Sequence, residues 1–293
     1  MRISRKSSTF AAKLKRSVGL IAWLCCSVMA FAASNGELKG RFIIGKDGDG
    51  EDIRVCFSQG NLRFDQSANT WSFAEHQYDV LGAANYDGDK LANTIDLFGW
   101  SADDQSAAKY GVSTDPSSIS YMGYFQDWGA NRISNGGNKP GVWRTLTADE
   151  WKYLIENNPK GPSKVNGIDG IVLVPYNMSF TIADSYTAEE WAAAEAQGLV
   201  FLPYSGHRNP TDLSVEKVAE SGWYWTATNS GTRKAKAVEC VSGNIGLITL
   251  APDRSYGCSV RLVQNKGKCE VTVTATAEPE QGTITITVLE TDN

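Results

Sequence analysis

Outside a basic and apolar N-terminal stretch, the chain offers few residues from which chemistry can be assembled. There are two histidines, His76 and His207, four cysteines, Cys56, Cys240, Cys258 and Cys269, and one run of alternating carboxylates, Asp47, Asp49 and Glu51. Two histidines leave little for a Ser-His-Asp arrangement, which needs a base held beside the nucleophile. No Cys-x-x-Cys follows the leader, so a thiolate zinc ribbon lacks its ligands. Four cysteines allow three pairings. Cys240 and Cys258 fall on neighbouring expected strands and are the first choice, with Cys56–Cys258 as the rival. Oxygen ligands spaced as Asp47, Asp49 and Glu51 suit Ca²⁺. The loop lacks the twelve-residue EF-hand pattern, however, and a Gly/Asp turn is the simpler account, so no cofactor is expected. The 33 acidic residues contain no motif that singles out the two carboxylates of a glycoside hydrolase. His207 and Arg208 follow a strand end, where they can line a pocket.

The other chemistry the sequence offers is aromatic. Trp223 and Trp225 share one face of an expected strand, Ser221 to Thr228, because side chains alternate with period two, and Tyr224 and Thr226 take the other face. Two large rings on one face usually anchor a core. Between Gly82 and Pro140 regular periodicity fades, yet Tyr86, Phe98, Trp100, Tyr110, Tyr121, Tyr124, Phe125 and Trp128 continue the aromatic supply. A disordered segment is poor in aromatics, so this stretch reads as a long ordered insert that packs through its rings. Binding residues concentrate on loops held by a rigid scaffold. Tyr86, Tyr121, Tyr124 and Trp128 are therefore the candidate ligand-binding rings, with His207 and Arg208 supplying hydrogen bonds at the rim. The bland alternative is that all four rings are buried and hold the insert on the domain.

The elements that must position these residues follow from local signals. Thr147-Ala148-Asp149-Glu150 and Thr187-Ala188-Glu189-Glu190 are capping boxes, each opening a helix. The first is expected to end by Asn157-Asn158-Pro159 and the second before Gly198. Strands are expected over Arg41 to Ile44, Ile53 to Ser58, Asn61 to Phe64, Thr70 to Ala74 and Gly170 to Pro175. Ala237 to Val241 and Ile245 to Leu250 form a hairpin, and Tyr256 to Val263 closes the set. Two further alternating strands, Glu270 to Thr276 and Thr283 to Val288, form a short tail after a linker, so residues 33–264 make the main domain and residues 265–293 the linker and tail. A lone hairpin is too small to be stable by itself, so it is expected to pair with the domain or another chain.

Residues 1–32 read as a signal peptide: a basic n-region, an apolar stretch from Val18 to Met29, and Ala30-Phe31-Ala32 before the cleavage point. Neither Cys25 nor Cys26 has the preceding residues of a lipid-modified signal. The whole chain carries a formal charge of −5, and the leader's six basic residues are its only charges, so the remainder is about −11. An acidic exported chain is a poor partner for nucleic acid, because phosphate contacts need clustered Lys and Arg. No segment after the leader is long and apolar enough to span a membrane.

The order of these elements resembles a known group. Phe57-Ser58-Gln59-Gly60-Asn61-Leu62, Asp96-Leu97-Phe98-Gly99-Trp100, Trp143-Arg144-Thr145-Leu146-Thr147, Gly222-Trp223-Tyr224-Trp225-Thr226 and Tyr256-Gly257-Cys258-Ser259-Val260-Arg261-Leu262-Val263 resemble the Fibrobacter succinogenes major paralogous domain and similar exported bacterial proteins. The resemblance implies an α+β, C-type-lectin-like fold, akin to the formylglycine-generating enzymes, with short antiparallel sheets, two main helices and long ordered loops. The enzymes' reactive cysteine pair is not matched by Cys258 and Cys269. Iron-dependent relatives use three histidines, and only two are present. The Glu-Pro-Asn, Gln-Pro-Asp and Trp-Asn-Asp motifs of Ca²⁺-dependent sugar-binding lectins are absent as well. Such a fold hosts unrelated activities. The expectation is an exported, non-enzymatic binding or adhesion module facing a glycan or protein ligand at the bacterial surface. A carbohydrate-active or other enzyme on the same fold and a structural cell-surface component are the alternatives.

Overall fold

The structure, a computed structural model, describes residues 35–100, 109–241, 244–248, 251–266, 272–277 and 284–289. The leader, residues 1–32, and Cys269 lie outside the described residues. The fold is mixed α+β, with mostly antiparallel sheets and two α-helices among the described residues. Helix α1 spans Ala148–Asn157 and helix α2 spans Ala188–Ala196. Both begin as the sequence dictates. Thr147 Oγ1 accepts from the Glu150 amide and the Glu150 carboxylate accepts from the Thr147 amide, and Thr187 with Glu190 repeats the arrangement.

Three sheets build the scaffold. In the first, Asp52–Phe57 lies between Phe42–Lys46 and the late strand Leu262–Lys266, which in turn pairs with Arg144–Thr145. The early and late parts of the domain are thus tied side by side. In the second, Ile168–Leu173 lies between Lys160–Val165 and Val200–Pro203. Its Ile171 and Leu173 enter one core with Phe42, Phe57, Trp151 and Tyr224, whereas Val172 enters another with Trp191 and Phe201. The strand's end, Ile171 to Leu173, is buried on both faces and so is apolar at every position, while the strand begins two residues before the expected Gly170, with Asp169 half-buried and paired to Lys164.

The third sheet is central. Its order is Val215–Val218, Ser205–Arg208, Ser221–Asn229, Ala235–Val241 and Asn244–Leu247. Strand Ser221–Asn229 separates two cores: Tyr224 faces the first, while Trp225, with Trp223 at its margin, faces an aromatic core that includes Trp71, Phe98, Trp100, Trp128 and Trp143. The expected hairpin forms, with Val241 opposite Asn244.

Several expectations are corrected. Tyr256 to Val263 is not one strand. Its residues make isolated bridges to three different segments, Gly257 to Arg208, Cys258 to Phe98 and Ser259 to Tyr224, and only Leu262–Lys266 is a ladder strand. Its backbone pairs with a different segment at each step, so no ladder forms before Leu262. The Cys240–Cys258 bridge does not form, nor does Cys56–Cys258: all three are free, buried thiols. The reason is facing direction. Cys240 packs with Val238 and Ile245 in one core, Cys258 in the aromatic core on the other side of the central strand, and Cys56 beside Gln264 of the first sheet. The tail strands, Thr272–Ala277 and Ile284–Leu289, pair with each other as a separate two-stranded sheet.

Candidate functional site

Four of the six sequence-nominated residues, Tyr86, Tyr121, Trp128 and Arg208, converge, but on a buried clamp. Arg208 is 1% exposed and donates from Nη1 to the Ser113 carbonyl (2.8 Å) and from Nη2 to the Ser255 carbonyl (2.8 Å). Tyr121, fully buried, donates its hydroxyl to the same Ser113 carbonyl (3.1 Å). Trp128, also fully buried, donates Nε1 to the Tyr110 carbonyl (2.9 Å). The Tyr86 hydroxyl lies buried near the Arg208 guanidinium, and burial raises its pKa above the ordinary tyrosine value. Tyr121, Trp128 and Arg208 are therefore not surface binding groups. An insert with little regular structure leaves carbonyls without ladder partners, and buried carbonyls must be satisfied by side chains. Tyr124, in contrast, is exposed. His207 is buried on the central sheet, its ring stacked on Trp223 with centroids 3.8 Å apart, well away from the expected rim role.

The Asp47–Glu51 stretch forms the Gly/Asp turn preferred over a Ca²⁺ loop: Asp47 Oδ1 accepts from the Asp49 and Glu51 amides. Among the described residues no group of three or more His, Cys, Asp or Glu is arranged to hold a metal ion.

What the clamp positions is the segment Lys109–Ser113, and this segment forms one wall of a cleft of about 390 Å³ lined by Phe64, Asn69, Trp71, Lys109, Tyr110, Val112 and Asn131. Phe64 and Trp71 are cross-strand partners in the hairpin Leu62–Asp65/Thr70–Phe73, with ring centroids 4.4 Å apart. Trp71 also meets Tyr110 edge-on at 5.7 Å. Asn69 sits in the hairpin turn at φ +47°, a left-handed conformation that asparagine tolerates. Tyr110 is held at φ +54°, where a bulky residue is strained. The next residue, Gly111, has φ +72°, and a Cβ there would lie 1.9 Å from the Gly99 carbonyl oxygen. Asn131 closes the far side, its Nδ2 donating to the Trp128 carbonyl (3.0 Å). Strained backbone that surroundings hold in place is concentrated at functional sites.

The cleft combines aromatic faces with two amides and one ammonium. Aromatic rings stack on an apolar face of a ligand, and amides exchange hydrogen bonds with hydroxyls. Its volume falls within the usual range for small-molecule sites, about 300–1,000 Å³. Sequence reasoning named Tyr110 among the insert's rings but did not select it. It missed Phe64, Asn69, Trp71, Lys109, Val112 and Asn131. The available signal was the pair of rings flanking the Ser67-Ala68-Asn69 turn.

A second cleft, about 320 Å³, is lined by Pro162, Ser163, Lys164, Asp169, Gly170, Asp184 and Tyr204. There Lys164 Nζ holds Asp169 in an ion pair at 2.6 Å. No helix among the described residues is long and apolar enough to cross a membrane.

Fold and site together define an α+β domain of antiparallel sheets that carries an aromatic cleft on a clamped insert. The chain belongs to the DUF8237 family, a domain of unknown function, whose model matches residues 72–263. No curated protein and no solved structure matches the chain. The family match takes in Lys109, Tyr110, Val112 and Asn131, while Phe64, Asn69 and Trp71 precede it.

Proposed function

We propose that the protein is an exported, non-enzymatic binding module on a C-type-lectin-like domain, and that its ligand is a glycan seated in the Phe64–Trp71–Tyr110 cleft. The observation that carries this reading is the strained Tyr110, locked against the hairpin rings by Trp128 on its own carbonyl and by Gly111 packed on Gly99. A fold that expends side chains to hold one aromatic ring in an unfavourable conformation beside two others makes a preorganised platform. Preorganisation raises affinity by removing ordering costs at the moment of binding. The leader supports export, and the bacterial cell surface is the place where a glycan-binding module would act.

Tyr110→Asn tests it, because asparagine accepts the left-handed backbone while removing the ring. On a glycan array, with and without Ca²⁺, the wild-type protein retains at least one glycan class. Tyr110→Asn loses that retention with its melting temperature near wild type. Lys109→Ala, at an exposed position, weakens it. Absence of retained glycans, or unchanged retention by Tyr110→Asn, overturns the assignment.

A further inference from the structure

A row of side chains crosses one face of the central sheet. Glu216 is opposite His207, and Trp223 is opposite Glu239, which is itself opposite Gly246. Gly206, next to His207, pairs with Gly222, next to Trp223, so the four side chains stand in sequence as Glu216, His207, Trp223 and Glu239. Neighbouring strands are roughly 4.8 Å apart, and the His207 and Trp223 rings use this spacing to stack at 3.8 Å and 11°. Tyr256 lies beside both rings, at 5.8 Å and 5.7 Å.

Three acceptors and two half-buried rings meet here. His207 is 6% exposed; its Nε2 faces the Glu216 carboxylate at 3.6 Å, and its Nδ1 is buried without a hydrogen-bond partner among the protein's own groups. In a neutral imidazole one nitrogen donates and the other accepts. The carboxylate beside Nε2 favours the proton there, which leaves Nδ1 as a lone pair wanting a donor. Glu239 accepts from Trp223 Nε1 at 3.0 Å. The nearby cation, Lys217, is engaged with Glu220 at 2.8 Å. Trp223 and Tyr256 remain half-buried. His207 covers one face of Trp223. Along the strand order the other face is toward Glu239 and Gly246, and a Cβ at Gly246 would meet nothing within 4 Å. A buried acceptor that no protein group satisfies, on a ring that meets one carboxylate at its other nitrogen and stacks on half-buried aromatic surface, calls for a ligand with N–H donors, a positive charge and an apolar stem.

We infer that this row is a second binding site, independent of the aromatic cleft, for a primary ammonium on an aliphatic stem, the chemistry of a lysine side chain. The ammonium donates to the glutamate carboxylates and to His207 Nδ1, and the stem lies along Trp223 and Tyr256. No bond is made or broken.

The test is titration of the purified protein with Nα-acetyl-lysine methylamide, followed by calorimetry and by tryptophan fluorescence. Choline, which carries charge but no N–H donor, is the comparator. Saturable binding of the lysine probe is expected, with choline weaker by about tenfold or more, the loss of one charge-assisted hydrogen bond. Glu239→Gln and Glu216→Gln should each weaken the lysine probe by a similar factor, and Tyr110→Asn should leave it unchanged. Circular dichroism on both glutamine variants confirms that they fold. No saturable response to the lysine probe overturns the inference. So does equal affinity for choline, or binding that neither glutamate variant alters. Loss in Tyr110→Asn would instead place the amine in the aromatic cleft and overturn the separate site.

Discussion

The two capping boxes allow one interaction to be weighed against an internal control. Glu150 and Glu190 occupy the same N3 position, and each carboxylate accepts from its N-cap amide, at 2.7 Å and 2.8 Å. Only Glu150 also receives the Arg144 fork, Nη1 at 2.9 Å and Nη2 at 2.8 Å. Arg144 in turn donates Nε to Asn265 of the strand Leu262–Lys266 (2.7 Å), so Glu150 ties helix α1 to the first sheet. Burial opposes the charged form of Glu150, yet the Arg144 fork and the Thr147 amide still hold its pKa below the ordinary carboxylate value. Glutamine at either position keeps an oxygen for the amide and loses the negative charge near the helix N-terminus, which costs about 0.3–1 kcal/mol. At Glu150 the bidentate pair is lost as well. Hydrogen bonds to charged groups contribute about 1.5–3 kcal/mol. With side chains 27% and 24% exposed, solvent screening reduces that to about 1–1.5 kcal/mol. Glu150→Gln should therefore cost about 1.5–2.5 kcal/mol and Glu190→Gln about 0.3–1 kcal/mol. Urea midpoints at unchanged slope measure both. An Arg144→Ala, Glu150→Gln double-mutant cycle should give a coupling of about 1 kcal/mol. Equal losses at the two glutamates, with coupling near zero, would refute the reasoning.

Burial lowers the His207 pKa below the ordinary histidine value, while Glu216 and Glu239 work in the opposite direction. The unfolded chain thus binds more protons than the folded one around the ordinary value, and stability falls as pH drops through it. His207→Gln should flatten that limb in urea midpoints compared between pH 7.5 and pH 5, and an unchanged limb would contradict the sign. Burial pushes the Cys56 thiol up to about 12, and the Cys240 and Cys258 thiols are also strongly raised. Peptide-resolved alkylation at pH 8 should leave all three unlabelled until denaturant is added, and rapid native labelling of any one would place it at the surface. Gly111→Ala should cost several times more than Gly50→Ala: both have positive φ, but only Gly111 meets a backbone carbonyl, whereas Gly50 has open space. Melting temperatures decide, and equal losses would mean that the Gly99 contact yields. Tyr121→Phe keeps the ring and leaves Arg208 on the Ser113 carbonyl, so it should cost only about 0.5–1.5 kcal/mol. A loss as large as truncating the ring would show that the hydroxyl carries the clamp alone.

The capping boxes were legible because a cap is a contact over three residues, and the end of the Ile168–Leu173 strand because burial on both faces makes Ile171, Val172 and Leu173 apolar. Alternation likewise put Trp223 and Trp225 on one face and Tyr224 on the other. What failed was everything decided by distant partners. Arg208 reads as a polar rim residue, yet Ser113 and Ser255 draw its guanidinium inside. Arg261 is equally buried, donating to Asn61 Oδ1 and Gln77 Oε1 from far along the chain. Cys240 lies on Ala235–Val241 and Cys258 on the segment bridged to Phe98, with the central strand between them, so the two thiols enter opposite cores. The cleft was hidden for the same reason. Its members come from three stretches, Phe64 to Trp71, Lys109 to Val112 and Asn131, joined only by folding.

The misplaced candidates explain why the cleft can exist. Lys109–Ser113 has almost no regular structure, so in isolation it would sample many conformations and lose that freedom on binding. Instead the Trp128 indole takes the Tyr110 carbonyl, the Gly99 amide takes the Gly111 carbonyl, and Tyr121 and Arg208 share the Ser113 carbonyl. Three of the segment's carbonyls are thereby fixed by groups anchored in the aromatic core or on the central sheet. Two of the rings that sequence reasoning assigned to the ligand, Tyr121 and Trp128, hold the loop that presents another ring, and the entropy of ordering that loop is spent in folding rather than in recognition. This division of labour links the two observations that otherwise stand apart: an insert unusually rich in buried aromatics, and a single tyrosine at its edge kept in a backbone conformation it would not choose.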